Sequence, residues 1–284
     1  MGFRTMDIAS RLKNLDKLPT LPQVTQRILE ALAQDASAKE LEKIIAEDQA
    51  LTARLLKLAN SPLYVGANPV TSLTQAIVRL GLGEVRNVVL TTAMRYVLTP
   101  TATYKKFNIT RLWIHAIGVA RAVYLLAQEE GMASPETCYT AGLLHDIGRL
   151  ALTVFFPEEF LRILALTEAK DISFKEAEEE LGLSHAEVGA LVAEKWRFSE
   201  ELIQAIKYHH APKQNGRILS MAFLIFKGDI VARAVGFVPE ENFSKLPKWP
   251  KSLPLNKKLL AKVVNVLKKE RQDLLSFWTD VFVS

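Results

Sequence analysis

The sequence predicts an all-α protein, and three observations carry that prediction. Apolar residues recur at helical spacing, and no stretch sustains the period-two alternation of a half-buried strand. Ser-led capping boxes, each a Ser followed three residues later by Glu or Gln, recur along the chain. Leu, Ala, Glu and Lys dominate, and strand punctuation is scarce. At the usual helix length this amounts to roughly a dozen helices.

In chain order, Ser37-Ala38-Lys39-Glu40 opens the first clear helix. Asp48 caps the next, whose apolar positions are Leu51, Leu55, Leu56, Leu58 and Ala59. Ser61 to Pro69 is a loop, with Asn60 at a helix end. Ser72-Leu73-Thr74-Gln75 opens a further helix. Val85, Val88, Val89, Thr92 and Tyr96 then follow a helical period after Gly83. Thr99-Pro100-Thr101-Ala102-Thr103 is a breaker and a lobe boundary. It divides residues 1–104, an N-terminal helical lobe, from residues 105–284, a second helical lobe.

The second lobe begins with a helix holding His115, Ile117, Gly118, Arg121 and Leu125. Ser134-Pro135 then places an N-cap before a proline at the first helical position. That helix is expected to run through His145 and Asp146, with Cys138 on its apolar face as a core thiol. Ser173-Phe174-Lys175-Glu176 and Ser184-His185-Ala186-Glu187 are two more capping boxes, and Ser199 caps the helix that ends at His209-His210. Asp229 interrupts the apolar run of the following helix. Pro247, Pro250 and Pro254 precede a last helical segment, with an apolar stripe at Leu255, Leu259, Leu260, Val263 and Leu267.

Composition limits the function classes. The chain has 284 residues, 49% hydrophobic and 24% charged. That suffices for one large domain or two lobes. No uncharged apolar run is long enough to span a bilayer, so no membrane insertion is expected. The first residues reach a charge too early for a signal peptide. The one cysteine cannot form an internal disulfide, and a cytoplasmic location is the default expectation. The net charge of +5 is unevenly placed, because Lys245 to Arg271 holds nine basic residues and one acidic residue. That tail can cover a core with a solvated lysine face, or contact nucleic acid, an acidic partner or anionic lipid.

The chemistry is concentrated in the second lobe. All five histidines, His115, His145, His185, His209 and His210, lie there. His145 and Asp146 stand side by side in the apolar run Ala141 to Leu150, where an imidazole and a carboxylate are costly to bury unless compensated. A divalent metal is one compensation and a hydrogen-bonded polar cluster is another. Helical bundles build metal sites from inward side chains on facing helices. Mixed nitrogen and oxygen donors suit Fe, Mn, Zn or Ni. Seven candidate ligands, the five histidines with Asp146 and Asp229, exceed the need of one ion, so one or two ions are expected. Arg149, one turn beyond His145, can bind a phosphate bidentately or pair with Asp146.

The ordered set His115, His145-Asp146, Asp229 resembles the ligand set of the HD phosphohydrolase superfamily. His185 and His209-His210 resemble the added ligands of its two-metal members, such as the HD-GYP phosphodiesterases. Arg149 stands where those enzymes carry Lys, and Ala211-Pro212-Lys213-Gln214 follows the paired histidines in place of Gly-Tyr-Pro. Cyclic di-GMP hydrolysis is therefore not expected.

The closer resemblance is to the HDOD family, the HD-related output domain, over roughly residues 15–236. Leu18-Pro19-Thr20-Leu21-Pro22 resembles its opening. The block from Asp48 to Ser61 resembles its most characteristic motif, with Gln49 where Pro is usual. Ser72-Leu73, Ala76-Ile77, Leu80-Gly81, His185 to Ala190 and Trp196 also match. The resemblance implies a multi-helical fold, an N-terminal lobe packed on an HD-like core, and a regulatory role in bacterial signal transduction. The expected partners are a signalling protein or a small phosphorylated ligand. This would be a module without an attached sensor, with catalysis undecided. A metal-dependent phosphohydrolase with Arg149 facing the phosphate is the alternative.

Overall fold

A computed structural model describes residues 20–64, 68–99, 107–239, 249–251 and 253–283. Leu18-Pro19, most of the 99–103 breaker, the 104/105 boundary and Lys245 and Lys248 of the basic tail lie outside the described residues.

The protein is all-α. The first group of helices is α1 (Gln23–Ala33), α2 (Ala38–Ile45), α3 (Gln49–Ala59), α4 (Leu73–Leu80) and α5 (Leu82–Val97), with a 3-10 turn at Pro62–Tyr64. Their starts follow the caps in the sequence. Ser37 and Ser72 form complete capping boxes with Glu40 and Gln75, and Asp48 accepts from the Leu51 N–H at 2.9 Å. Asn60 ties the end of α3 to the later chain, donating to Val70 O at 2.9 Å and accepting from Val70 N–H at 2.7 Å. Tyr96, counted with the apolar face of α5, is 81% exposed instead. The buried face there passes through Ala93, Met94 and Val97, about a third of a turn away from Tyr96.

The second group begins with α6 (Ile109–Glu129), capped by Asn108. It continues with α7 (Pro135–Leu144), α8 (Ile147–Phe155), α9 (Pro157–Lys170), α10 (Phe174–Leu181), α11 (His185–Lys195), α12 (Glu200–Tyr208), α13 (Ser220–Ala234) and α14 (Lys257–Val283). α6 is long and apolar enough to cross a membrane, but most of that stretch is buried by α7, α13 and α14. It is the central core helix. The main apolar cluster is continuous from Ile28 on α1 to Val281 on α14, and Phe223, Phe226 and Leu253 form a smaller second one.

Two expectations need correction. The helix opened by Ser134-Pro135 does not carry His145 and Asp146: α7 stops at Leu144 and α8 starts at Ile147. A continuing helix would pair the Asp146 N–H with Gly142 O, but the His145 ring takes that carbonyl at 2.7 Å. The box at Ser184 forms only in half, with Ser184 accepting from Glu187 N–H.

The sequence also hides a small hairpin. Lys213–Gln214 and Arg217–Ile218 pair antiparallel across Asn215-Gly216, both at positive φ. An Asn-Gly pair is the favoured filling of such a two-residue turn.

α14 straps the two groups together. Val263, Leu267, Leu274, Phe277, Trp278 and Val281 are buried along one face, packing on α6, α13 and the 3-10 turn. Leu255 precedes the helix and is exposed. Glu270 accepts two bonds from Arg121 at 2.7 Å, Lys57 reaches Asp280 at 3.0 Å, and Arg95 donates to Val281 O at 2.9 Å. Lys257, Lys258, Lys262, Lys268 and Lys269 are exposed. Trp278 is 1% exposed, so Trp278→Ala should cost ~3–5 kcal/mol, as for other buried aromatics. A shift in the urea midpoint at unchanged slope measures it.

Candidate metal centre

Each ring of the site is placed by a helix end or a helix face. His145 and His209 are the C-terminal caps of α7 and α12, and they use one device. The last carbonyls of a helix lack intrahelical partners. His145 Nδ1 donates to Gly142 O at 2.7 Å and His209 Nδ1 to Ile206 O at 2.6 Å, each three residues back. His115 lies inside α6, and its Nδ1 donates to Phe237 O at 2.8 Å, in the turn after α13. His185 is the first residue of α11, and its Nδ1 lies 2.5 Å from Glu178 Oε2.

A carbonyl oxygen only accepts, so Nδ1 of His115, His145 and His209 must hold the proton. Neutral, these rings present a bare Nε2 lone pair. All three point inward to the same place. His115, His145 and Asp229 form one group of donor atoms; Asp146, His185, His209 and His210 form a second. Within each, the donor atoms lie within 4.8 Å of one another. Asp146 faces both. Its Oδ1 is 3.1 Å from His185 Nε2 and 3.7 Å from His209 Nε2; its Oδ2 is 3.5 Å from His145 Nε2 and 3.9 Å from His115 Nε2.

The site is closed to solvent. His115, His145, Asp146, His185, His209 and Asp229 are all buried, and only His210 is half-buried. Yet His115 Nε2 and His209 Nε2 make no hydrogen bond among the described residues. His115 Nε2 sits 3.2 Å from Asp229 Oδ1. With Nε2 unprotonated, two acceptors that close repel unless a cation lies near both, so either a proton or a metal ion holds this pair together. The donor set therefore fits a divalent metal of the kind that takes imidazole and carboxylate together. All seven predicted ligands come together here.

Arg149 does not face open space. It is buried, its Nε is 3.3 Å from Asp146 Oδ2, and its guanidinium lies 4.5 Å over the Phe174 ring. Of the two roles open to it from the sequence, pairing with Asp146 is the one the geometry holds. Arg233 does the same for Asp229, Nε to Oδ1 at 2.7 Å.

Electrostatics follow from this packing. Burial would raise the carboxyls of Asp146 and Asp229. Arg149 and the imidazoles outweigh it for Asp146, and Arg233 and the imidazoles for Asp229, holding both well below the usual carboxylate range. Burial lowers His145 to about 4 and His209 to about 3. His185 is also buried, but Glu178 and Asp146 on either side raise it to about 9. The metal-free site thus keeps the His185 imidazolium at neutral pH. Its Nε2–H points at Asp146 and at His210 Nε2, 2.9 Å away.

A pH prediction follows from linkage. His185 binds its proton more tightly folded than unfolded, so its contribution is complete below about pH 6.5, the ordinary histidine value, and is lost as pH rises through about 9. His145 and His209 resist protonation in the fold, so stability also falls as pH drops below about 6.5 towards 4 and 3. Metal-free protein should be most stable near neutral pH, and a metal should remove the alkaline loss by displacing the His185 proton. Melting curves with and without chelator between pH 5 and 9.5 measure this.

Sequence reasoning missed Glu178, Arg233 and the three carbonyls at Gly142, Ile206 and Phe237. Arg233 was legible, four residues after Asp229 on one helix face. Glu178 carried no local signal.

The chain is similar to known proteins in family and fold. A family profile for the HDOD domain matches residues 18–212. An uncharacterized protein of Treponema pallidum (strain Nichols) is 27% identical over 219 residues, 75% of this chain and 42% of its own length. The chain thus spans under half of that relative. The crystal structure of an HDOD domain protein with unknown function from Geobacter sulfurreducens is similar at 29% identity and a TM-score of 0.71, covering 97% of this chain and 98% of its own. A structure from Shewanella amazonensis SB2B, named as a candidate phosphohydrolase, is similar at 25% identity and a TM-score of 0.73, covering 95% and 97%.

Proposed function

This chain belongs to the HDOD family, and from that premise we propose that it is a regulatory output module of bacterial signal transduction that binds a divalent metal at its HD-type pocket and acts by binding a partner. One observation supports the metal above all others. Three tautomer-locked imidazoles and two carboxylates converge, and His115 Nε2 and His209 Nε2 make no hydrogen bond among the described residues. Seven side chains, His115, His145, Asp146, His185, His209, His210 and Asp229, would hold one ion or two, of Fe, Mn, Zn or Ni. Output through binding rather than turnover is favoured by burial of the site and by Arg149, whose guanidinium is engaged with Asp146 under Phe174.

The test is elemental analysis of protein purified without chelator. At least one Fe, Mn, Zn or Ni per chain is the expected result, and a metal-free protein that also refuses all four in dialysis overturns the reading. A pull-down with the whole chain and with variants of the first helical group then seeks the partner. The surface lysines of α14 offer nucleic acid a second, purely electrostatic contact, which a salt-dependent mobility shift would reveal.

A second reading, a metal-dependent phosphohydrolase acting on a nucleotide or phosphoester, is favoured by two adjacent donor groups with Asp146 facing both. A bound metal would supply Lewis acidity and an activated water. Arg149 would then have to turn from Asp146 to a phosphate. Turnover of a nucleotide panel with Mn or Fe, abolished in the His145→Ala/Asp146→Ala double variant, would establish this reading over the first.

A further inference from the structure

We infer that Glu178 is the positioning residue of the pocket: it fixes the His185 ring with Nε2 aimed at Asp146, and so sets the affinity of the second donor group. The inference extends the metal reading above, but the positioning itself does not require a metal.

Glu178 lies on α10, a short helix whose other outward carboxylates, Glu176, Glu179 and Glu180, are exposed. Glu178 alone turns inward and is 2% exposed. Both its oxygens are used on one residue. Oε2 meets the His185 ring Nδ1 at 2.5 Å, and Oε1 accepts from the His185 backbone N–H at 2.7 Å. Those are two donors on the same residue. A carboxylate supplies two acceptors, whereas an amide supplies one acceptor and one donor. The ring therefore cannot flip or tilt without losing a charge-assisted bond in a buried place.

The arrangement also differs from that of the other rings. His115, His145 and His209 are locked by neutral carbonyls. His185 alone is locked by a full negative charge, which strengthens Nε2 as a donor to a cation. Phe174, on the same helix, closes the site from this side: its ring lies under Arg149 and its edge meets the His185 ring at 6.0 Å.

The experiment uses the full chain with labelled imidazoles, first freed of metal by chelator and then titrated with Zn2+. In the metal-free wild type the His185 Nδ1–H gives a far-downfield, slowly exchanging proton signal. Glu178→Gln should lose that signal while those of His115, His145 and His209 stay. Its Zn2+ affinity should then fall roughly ten- to hundredfold, the usual effect of losing an outer-sphere partner. Glu178→Asp keeps both acceptors on a shorter arm and should fall between the two. It also serves if the Gln variant does not fold, which circular dichroism reports. A Glu178→Gln protein that keeps the His185 signal and binds Zn2+ within threefold of wild type overturns the inference, as does a Glu178→Asp protein indistinguishable from wild type in both. If wild type takes up no Zn2+ but Glu178→Gln still loses the signal, the positioning stands and the metal reading fails.

Discussion

Gly148→Ala should unfold the centre of the site. A Cβ at residue 148 would sit 1.8 Å from His185 O and 2.7 Å from Gly189 N. Both are backbone atoms, so no rotamer change relieves the clash, and α8 and α11 must move apart. Overpacking of a dense core costs ~1–3 kcal/mol where side chains can yield, and more where they cannot; the upper end or beyond is expected here. The functional loss should be larger than the stability loss. Asp146 immediately precedes α8 and His185 begins α11, and their 3.1 Å contact exists only while the two helix starts touch. Metal content should therefore drop sharply in any folded fraction. Gly83→Ala is the control, because the atoms nearest its Cβ belong to the flexible Glu136 side chain. Urea unfolding and elemental analysis of the two variants should separate them; equal behaviour would mean that the α8–α11 approach is not what holds the site.

The helical fold was legible because its signals are local. Ser37, Ser72 and Ser173 announce their helices through a side chain and a partner three residues on, and all three boxes form. Cys138 lies in the core, its thiol raised to about 11 by burial, as expected for an inert cysteine. The break at His145-Asp146 was not legible by the same route. A helical apolar pattern continues straight through it, and the interruption depends on which way one imidazole turns. Glu178 was hidden for a deeper reason. Among Glu176, Glu178, Glu179 and Glu180, only tertiary packing decides which carboxylate faces inward, and the pattern Phe174, Ala177, Glu178 on one buried face becomes visible only with α11 in place. The convergence of the histidines was an expectation from their clustering in one helical lobe, and the resemblance supplied which of them meet. Helix spacing says which residues share a face, and says nothing of which faces meet across seventy or more residues of chain.

Asp146→Asn separates the two accounts of this cluster, a metal site and a hydrogen-bonded polar core. The exchange is nearly isosteric. It removes the charge that faces both donor groups and replaces one oxygen by an NH2. That amide can donate on one side only, to Nε2 of His209 or of His115, supplying one of the donors they lack, while buried Arg149 and protonated His185 lose the charge they face. In the polar-core account the substitution repairs one part of an unsatisfied network at the cost of another, and a buried network stabilises its surroundings only where it is satisfied. In the metal account it removes the carboxylate that stands 3.1–3.9 Å from four imidazole nitrogens. Affinity should then fall by at least the roughly ten- to hundredfold that loss of an outer-sphere partner costs, since Asp146 is itself a ligand. The expected result is a protein that folds, melts in chelator somewhat below the wild-type temperature because Arg149 and His185 lose their carboxylate, and gains nothing from added metal. Wild type should instead gain stability as metal is added, by about 2.7 kcal/mol at a hundredfold excess over the dissociation constant. An Asn variant that still copurifies with stoichiometric metal would show that the ion does not depend on Asp146, and the centre would have to be redrawn around His115, His145 and Asp229 alone.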